Sequence, residues 1–162
     1  MSDMIVLDAV SVATIARAAR DAAAGLAKPA GPPAEVLSML PDVVSAALRR
    51  MEPSGTPPDP APQAALTRYA VELDEIAEAA LSLDQRENEL DHQLRWWGER
   101  IAELESEGSG DEPSEAKREL ALFRGRISGA HAMQRHYAQE RAALVGLHEE
   151  ADAACAAQLA GA

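Results

Sequence analysis

The chain has 162 residues and a net charge of −12, and aromatic residues make up only 3% of it although hydrophobic residues make up 47%. Its apolar residues are dominated by 35 alanines, a composition that favours helices and lacks the aromatic residues that strands prefer. The acidic charge argues against nucleic acid or an anionic membrane as partner, because both require a basic face. We therefore expect an all-α protein without a sheet-based enzyme core.

The amino-terminal residues and the single cysteine bear on the compartment. Residues 1–8 hold aspartates where a cleavable signal peptide needs basic residues. No apolar run reaches the roughly 18 residues that span a bilayer. Cys155 is the only cysteine, and we interpret it as a small apolar helix residue rather than a redox or conjugation site. We expect a cytoplasmic protein, or one exported without a cleaved signal peptide.

Two short helices are predicted in residues 1–51. Asp8 is placed to cap the first, which should run to about Ala27 because apolar residues recur every three or four positions. The apolar face of this helix comprises Val12, Ile15, Ala19, Ala22 and Leu26. The second helix is predicted over 34–51, and Pro41 inside it predicts a kink or two shorter pieces. Its apolar face comprises Leu37, Leu40, Val44, Ala47 and Met51.

A proline-rich linker and a long helix are predicted next. Residues 52–62 hold five of the ten prolines, which indicates an extended segment. Residues 63–107 contain no proline, and the apolar repeat never changes register, which predicts one helix of about 45 residues with a coiled-coil-like stripe. The stripe comprises Leu66, Tyr69, Leu73, Ile76, Ala80, Leu83, Glu87, Leu90, Leu94, Trp97, Ile101 and Leu104.

A second long helix is predicted after a turn at 108–113, where glycines and Pro113 interrupt the repeat. Its stripe comprises Ala116, Leu120, Phe123, Ile127, Ala130, Gln134, Tyr137, Arg141, Leu144, His148, Ala151 and Cys155. So short a turn makes the two helices antiparallel. We therefore expect a long antiparallel helical hairpin over 63–162, which the two short helices complete to a three- to four-helix bundle at the end away from the turn.

Folding the chain about this turn predicts which residues meet. Trp97 should lie near Phe123, and Glu87, the one polar residue in its stripe, should lie opposite Gln134. The charges match as well, because the third helix carries 12 acidic and 4 basic residues while residues 117–141 carry 6 basic and 2 acidic. Such matching favours pairing within the chain.

The sharpest local feature is the sequence Trp96-Trp97-Gly98. Trp97 falls on the stripe and should pack in the core, whereas Trp96 lies one position away and either packs under another helix or anchors a partner. Gly98 costs a helix about 1 kcal/mol relative to alanine. Close approach of another helix or a local bend would explain why a glycine stands there. Gly125 and Gly129 permit close contact too, either within the hairpin or with a partner. The predicted partner-binding residues are Trp96, Trp97, Gly98, Phe123, Gly125 and Gly129.

Catalytic and metal-binding patterns are weak. Glu89 and His92 form one Glu-x-x-His pair, whereas di-iron bundles need two such pairs and two further glutamates. His131, His136 and Glu140 could share a helical face, but no second motif completes a zinc site. No phosphate-binding loop or nucleophile motif is present. We expect no catalytic residues, cofactor, metal or small-molecule substrate.

The short amino-terminal helices, the Trp96–Gly98 tripeptide, the two stripes and the acidic, alanine-rich composition together resemble the WXG (ESAT-like) superfamily of type VII secretion. The resemblance covers roughly the last 100 residues. It implies a helical hairpin that pairs with another helical protein, or a partner of a secreted effector. The residues also allow a cytosolic coiled-coil scaffold or homodimer unrelated to secretion, and a helical-bundle metalloprotein or enzyme is the third hypothesis.

Overall fold

The computed structural model is all-helical, and its helices pack together. It describes residues 8–24, 38, 40–50, 60–107 and 114–161. The helices are α1 (Ala9–Ala23), α2 (Asp42–Arg50), α3 (Pro60–Glu107) and α4 (Ser114–Ala160). The described residues contain no strand, so the predicted all-α class is confirmed. None of the described helices is long and apolar enough to cross a membrane.

Helix α1 begins as predicted. The carboxylate of Asp8 accepts hydrogen bonds from the backbone N–H groups of Val10 and Ser11, each at 3.2 Å. The hydroxyl of Ser11, followed by the Val10 N–H group, lowers the pKa of this carboxyl. The helix ends at Ala23, four residues before the predicted end. The members of its predicted face that the structure describes are all buried: Val12, Ile15, Ala19 and Ala22.

Helix α2 is shorter than predicted because Pro41 stands before its first residue. The carbonyl of Pro41 accepts a hydrogen bond from the Ser45 N–H at 3.0 Å, so the proline opens the helix without losing a donor that the helix needs. Leu40 and Val44 are buried as predicted, and Leu48 joins them. Before Pro41, the structure describes only Ser38 and Leu40 of the predicted helix. The other residues of this part lie outside the described residues, and so does Met51.

Helix α3 begins at Pro60, inside the segment that we expected to be an extended linker. Pro60 and Pro62 both lie in its first turn, where the missing N–H group has no helical partner to lose. The remaining linker residues, 52–59, lie outside the described residues, as does the predicted turn at 108–113.

The two predicted stripes face inward along α3 and α4. All twelve stripe residues of α3 are buried or half-buried, and among the twelve of α4 only Gln134 is exposed. The apolar repeat therefore identified the covered side of both helices correctly. Because Gln134 is exposed, it does not form a buried polar pair with Glu87, the residue that was predicted to lie opposite it.

The chain divides into two compact units, and α3 and α4 contribute to both. The first unit comprises residues 1–81 and 142–162, and the second comprises residues 82–141. The core of the first unit combines α1 and α2 with the adjoining parts of α3 and α4, and Val12, Leu66 and Leu73 are almost fully buried in it. The core of the second unit is small, because only two helices supply it: Leu104, Leu120 and Phe123, with Trp97 and Ile101 packed against them.

Charged contacts join α3 and α4 within the second unit. Arg141 donates to Asp84 and to Glu87, each at 2.6 Å. Arg124 donates to Glu105 at 2.7 Å. Further along, Arg86 lies 2.9 Å from Glu140 and Arg100 lies 3.4 Å from Glu119. These pairs follow the charge matching between the two helices that the sequence predicts.

The predicted pairing of Glu87 with Gln134 is wrong. Glu87 binds Arg141 instead, and the Gln134 amide donates to Asp91 at 3.2 Å. The physical reason is the register of the two helices, because Gln134 lies against Asp91, about one helical turn from Glu87. Asp84 lies within reach of the same guanidinium, so two carboxylates share one cation.

Candidate functional site

The aromatic residues of the second unit gather around its small core. Trp97 is half-buried and packs against Phe123, which is 5% exposed. The core role predicted for Trp97 and its predicted proximity to Phe123 are thus confirmed. The two residues meet because each lies on the stripe of its own helix, α3 or α4.

Trp96 lies at the margin of this cluster. Its ring meets the Phe123 ring edge-on, with centroids 5.6 Å apart and an interplanar angle of 84°. The side chain nevertheless remains 52% exposed. No other described helix covers it, so one large aromatic surface faces solvent while its edge is held in place.

Arg126 links the tryptophans to one side of α4. Its guanidinium lies 5.9 Å from the Trp97 ring centroid and 5.8 Å from that of Phe123, within the range of a cation–π contact. Leu122, Gly129 and Met133 stand three or four positions from Arg126 or from one another, so they share its side of the helix. Leu122 is 52% exposed and Met133 is 42% exposed.

We call the surface made by these residues the Trp96 face. It comprises Trp96, Leu122, Gly125, Gly129 and Met133. It presents three large apolar side chains and two glycines to solvent. Arg126 stands on the same side of α4, so one cationic side chain accompanies these apolar residues.

The three predicted glycines have open surroundings. A Cβ atom added at Gly98, Gly125 or Gly129 would meet no atom within 4 Å. Packing between α3 and α4 therefore does not explain Gly125 and Gly129. Gly98 follows Trp96 by two positions, which places it on a different side of α3. The structure thus brings Trp96, Trp97 and Phe123 together. No side chain of these three lies within 4 Å of a Cβ position at Gly125 or Gly129, and Gly98 lies on another side of α3.

A second site, which is polar and which the sequence analysis missed, lies in the core of the first unit. The Tyr69 hydroxyl donates to the carboxylate of Asp152 at 2.5 Å. Nδ1 of His148 lies 3.7 Å from the same carboxylate, and its buried Nε2 has no hydrogen-bond partner among the described residues. The stripe pattern could indicate Tyr69 and His148. It could not indicate Asp152, which is adjacent to the stripe.

Burial controls the ionisation of this cluster. It raises the pKa of the Asp152 carboxyl, and the hydrogen bond from Tyr69 and the nearby His148 oppose that rise. Burial, together with Asp152, also raises the pKa of the Tyr69 hydroxyl. Burial and the same carboxylate raise the pKa of the Cys155 thiol to about 12. A thiol held protonated in this way is a poor nucleophile, and the arrangement is that of a structural contact.

The histidine positions singled out in the sequence make local contacts. Nε2 of His136 lies 3.2 Å from Glu140, as their four-residue spacing predicts, and Nδ1 of His131 lies 3.0 Å from Gln134. Within the described part of the chain, no three His, Cys, Asp or Glu residues are grouped as a metal ion would require. The Glu89 and His92 side chains are both exposed.

Comparison of the chain with known protein families, with curated proteins and with solved structures finds no match. The resemblance to the WXG superfamily therefore stays a prediction that rests on Trp96–Gly98 and the two stripes.

Proposed function

We propose that this protein is a non-enzymatic interaction module that binds another helical protein through the Trp96 face. One observation carries the proposal. The structure covers the predicted stripes, yet it leaves Trp96 half-exposed on the unit that has the fewest described helices, where Leu122 and Met133 are exposed too. Partly buried aromatic residues of this kind are typical anchors of protein interfaces.

The glycines support a helix as the occupant. Gly125 and Gly129 are one turn apart, and, apart from the backbone of α4 itself, no atom of the described residues lies within 4 Å of the positions that their Cβ atoms would occupy. A glycine costs a helix about 1 kcal/mol relative to alanine, and this chain gains no internal packing from it. Because glycine has no side chain, the backbone of a partner helix could lie close against α4 at these two positions.

We further propose that the helix pair is an antiparallel hairpin closed at 108–113. The ion pairs of the second unit support this arrangement. Asp84, early in the unit, binds Arg141, whereas Glu105, later in α3, binds Arg124, earlier in α4. A partner hairpin would meet this pair along its length and complete a four-helix arrangement.

For the biological setting, we propose association with type VII secretion, either as an exported hairpin or as the partner of a secreted effector. The Trp96-Trp97-Gly98 tripeptide and the paired stripes support this assignment. Export without a cleaved signal peptide would appear as secretion-dependent accumulation in culture fluid. Accumulation that persists when the secretion machinery is deleted would contradict it.

Self-association as a cytosolic scaffold is the second candidate. The charge division would allow it if the pairs within the chain exchange for pairs between two copies, since residues 82–107 carry 8 acidic and 3 basic residues while residues 114–141 carry 6 basic and 3 acidic. A second copy could therefore set its basic helix against the acidic helix of the first. Light scattering of the purified chain separates the two candidates, because only self-association doubles the mass in the absence of another protein.

The binding proposal is tested by co-purification from the native host with a tagged chain. We expect one stoichiometric helical partner, or a second copy of the chain, and we expect its loss in Trp96→Ala. Leu81→Ala is the matched control, because Leu81 is 53% exposed but lies in the first unit. Equal retention by both variants would contradict binding through the Trp96 face.

A further inference from the structure

A second apolar surface lies in the first unit, between α3 and α4. It is an open groove with a volume of about 430 Å³. Its floor is made of aliphatic residues: Ile76, Ala79, Leu144, Leu147, Ala151 and Ala154. Leu147 is 51% exposed, so the described part of the chain leaves apolar surface of the floor uncovered.

The rim of this groove carries charge of one sign. Glu72 and Glu75 stand on α3 and Glu150 stands on α4, and none of the residues that line the groove is basic. Residues 142–161 of α4 contain no lysine or arginine at all. Arg68 is the sole basic residue in 60–81, and it lies 3.9 Å from Glu72 in an exposed pair that is worth little.

The shape of the groove suits a helix. Three of the six floor residues are alanines, which let another backbone approach closely. The lining residues run from Glu72 to Ala79 on one wall and from Leu144 to Ala154 on the other. These spans correspond to roughly 10 and 15 Å, or two to three helical turns.

We propose that this groove binds a basic amphipathic helix of a partner protein. Its apolar side would cover Leu147 and the alanines, and its arginine or lysine side chains would pair with Glu72, Glu75 and Glu150. This site belongs to a different unit from the Trp96 face, and it does not depend on that face. Apolar contact would supply affinity, and the three carboxylates would select a cationic partner.

The direct test uses the full chain and a synthetic amphipathic helix of about 18 residues, or five turns, with leucine and alanine on one side and arginines flanking them. We expect saturable one-to-one binding by calorimetry at about 0.15 M salt. A peptide of the same composition with its apolar side scrambled should bind at least about tenfold more weakly. Equal binding of the two peptides would overturn the proposal, because attraction would then depend on charge alone. Absence of binding by both peptides would overturn it as well.

Two pairs of variants locate the site. Glu75→Gln with Glu150→Gln should weaken peptide binding by about tenfold. The control is Glu78→Gln with Glu149→Gln, which makes an equal charge change at exposed positions of the same helices that do not line the groove. The control should change peptide binding less than about threefold. Leu147→Gln should weaken binding by a similar factor, and Leu81→Gln, an equally exposed leucine outside the groove, should not. Equal losses in the test and control variants would place the peptide elsewhere and refute the inference. Trp96→Ala should have no effect, which separates this outcome from that of the Trp96 face.

Discussion

The contact between Tyr69 and Asp152 shows how one residue pair stabilises the first unit. Tyr69 is 1% exposed and Asp152 is 9% exposed, and each would be costly to bury alone. Their hydrogen bond satisfies both groups. Since Tyr69 belongs to α3 and Asp152 to α4, it also fixes the register of the two helices in this unit.

Tyr69→Phe removes the donor and leaves the Asp152 carboxylate buried without it. We expect the free energy of unfolding to fall by about 1–3 kcal/mol in urea denaturation. Burial raises the pKa of Asp152, and loss of the donor should raise it further. The variant should therefore regain stability as the pH falls toward the pKa of Asp152, because the folded state then binds the proton more tightly than the unfolded state.

The control for this prediction is Tyr137→Phe. Tyr137 is also buried, at 8% exposure, but its hydroxyl has no hydrogen bond among the described residues. We expect its free energy of unfolding to stay within about 0.5 kcal/mol of the wild type. Similar destabilisation by both variants would show that the Asp152 contact is not the cause.

Cys155 gives a second prediction at this scale. Its pKa is raised from 9.0 to about 12, so the folded chain should react with a thiol reagent at pH 8 far more slowly than the unfolded chain does. The sign of the linkage follows, because the unfolded thiol ionises first and stability should fall as the pH rises from about 9 toward 12. Cys155→Ala should lack this part of the alkaline loss. Labelling of the native chain at the rate of a free thiol would contradict the burial of Cys155.

At the scale of single elements, the glycines of α3 and α4 are the most informative positions. Alanine at Gly98, Gly125 or Gly129 would meet nothing within 4 Å. We expect each substitution to raise the free energy of unfolding of the isolated chain, by up to about 1 kcal/mol, because it restricts the unfolded chain and favours helix. Urea denaturation of the three variants measures it. Destabilisation would show that these glycines pack closely within the chain.

The helices themselves could be predicted from the sequence because their signals are local and periodic. Asp8 provides a cap, and the unbroken repeat of α3 identifies its covered side through to Leu104. The sequence could not indicate that Pro60 starts a helix. A proline-rich segment predicts extended backbone, and nothing in the pattern shows that its last prolines lie in the first turn of α3. It also could not give the register of α3 against α4 to within one turn, since Glu87 binds Arg141 whereas Gln134 binds Asp91.

At the scale of the whole molecule, the two units differ in how much core they have. The first combines parts of four helices around residues such as Leu66 and Val44, which are fully buried, whereas the second relies on a few residues around Phe123. The sequence indicated the two short and the two long helices, but it did not indicate this division, because the division depends on where α1 and α2 pack. Of the Trp96 face, the sequence indicated Trp96, Gly125 and Gly129 but neither Leu122 nor Met133. It missed the groove of the first unit, whose glutamates lie on the exposed sides of their helices.

This difference predicts uneven hydrogen exchange. Amides of residues 82–141 should exchange faster than those of α3 around Leu66 and Leu73, because fewer apolar contacts hold the second unit closed. Exchange measured by mass spectrometry at neutral pH tests it. Equal protection in both units would contradict the idea that the second unit lacks a covering helix. A partner on the Trp96 face should slow exchange in the second unit selectively.

The most direct test of the central claim compares two glycine variants of the full chain in their affinity for the helical partner. Gly129→Leu fills the open space on the Trp96 face, and Gly98→Leu adds the same side chain to α3 on a different side, with equally open surroundings. We predict that Gly129→Leu weakens binding by at least about tenfold while Gly98→Leu leaves it within about twofold, with both variants fully helical. Equal affinities of the two variants would contradict binding through the Trp96 face.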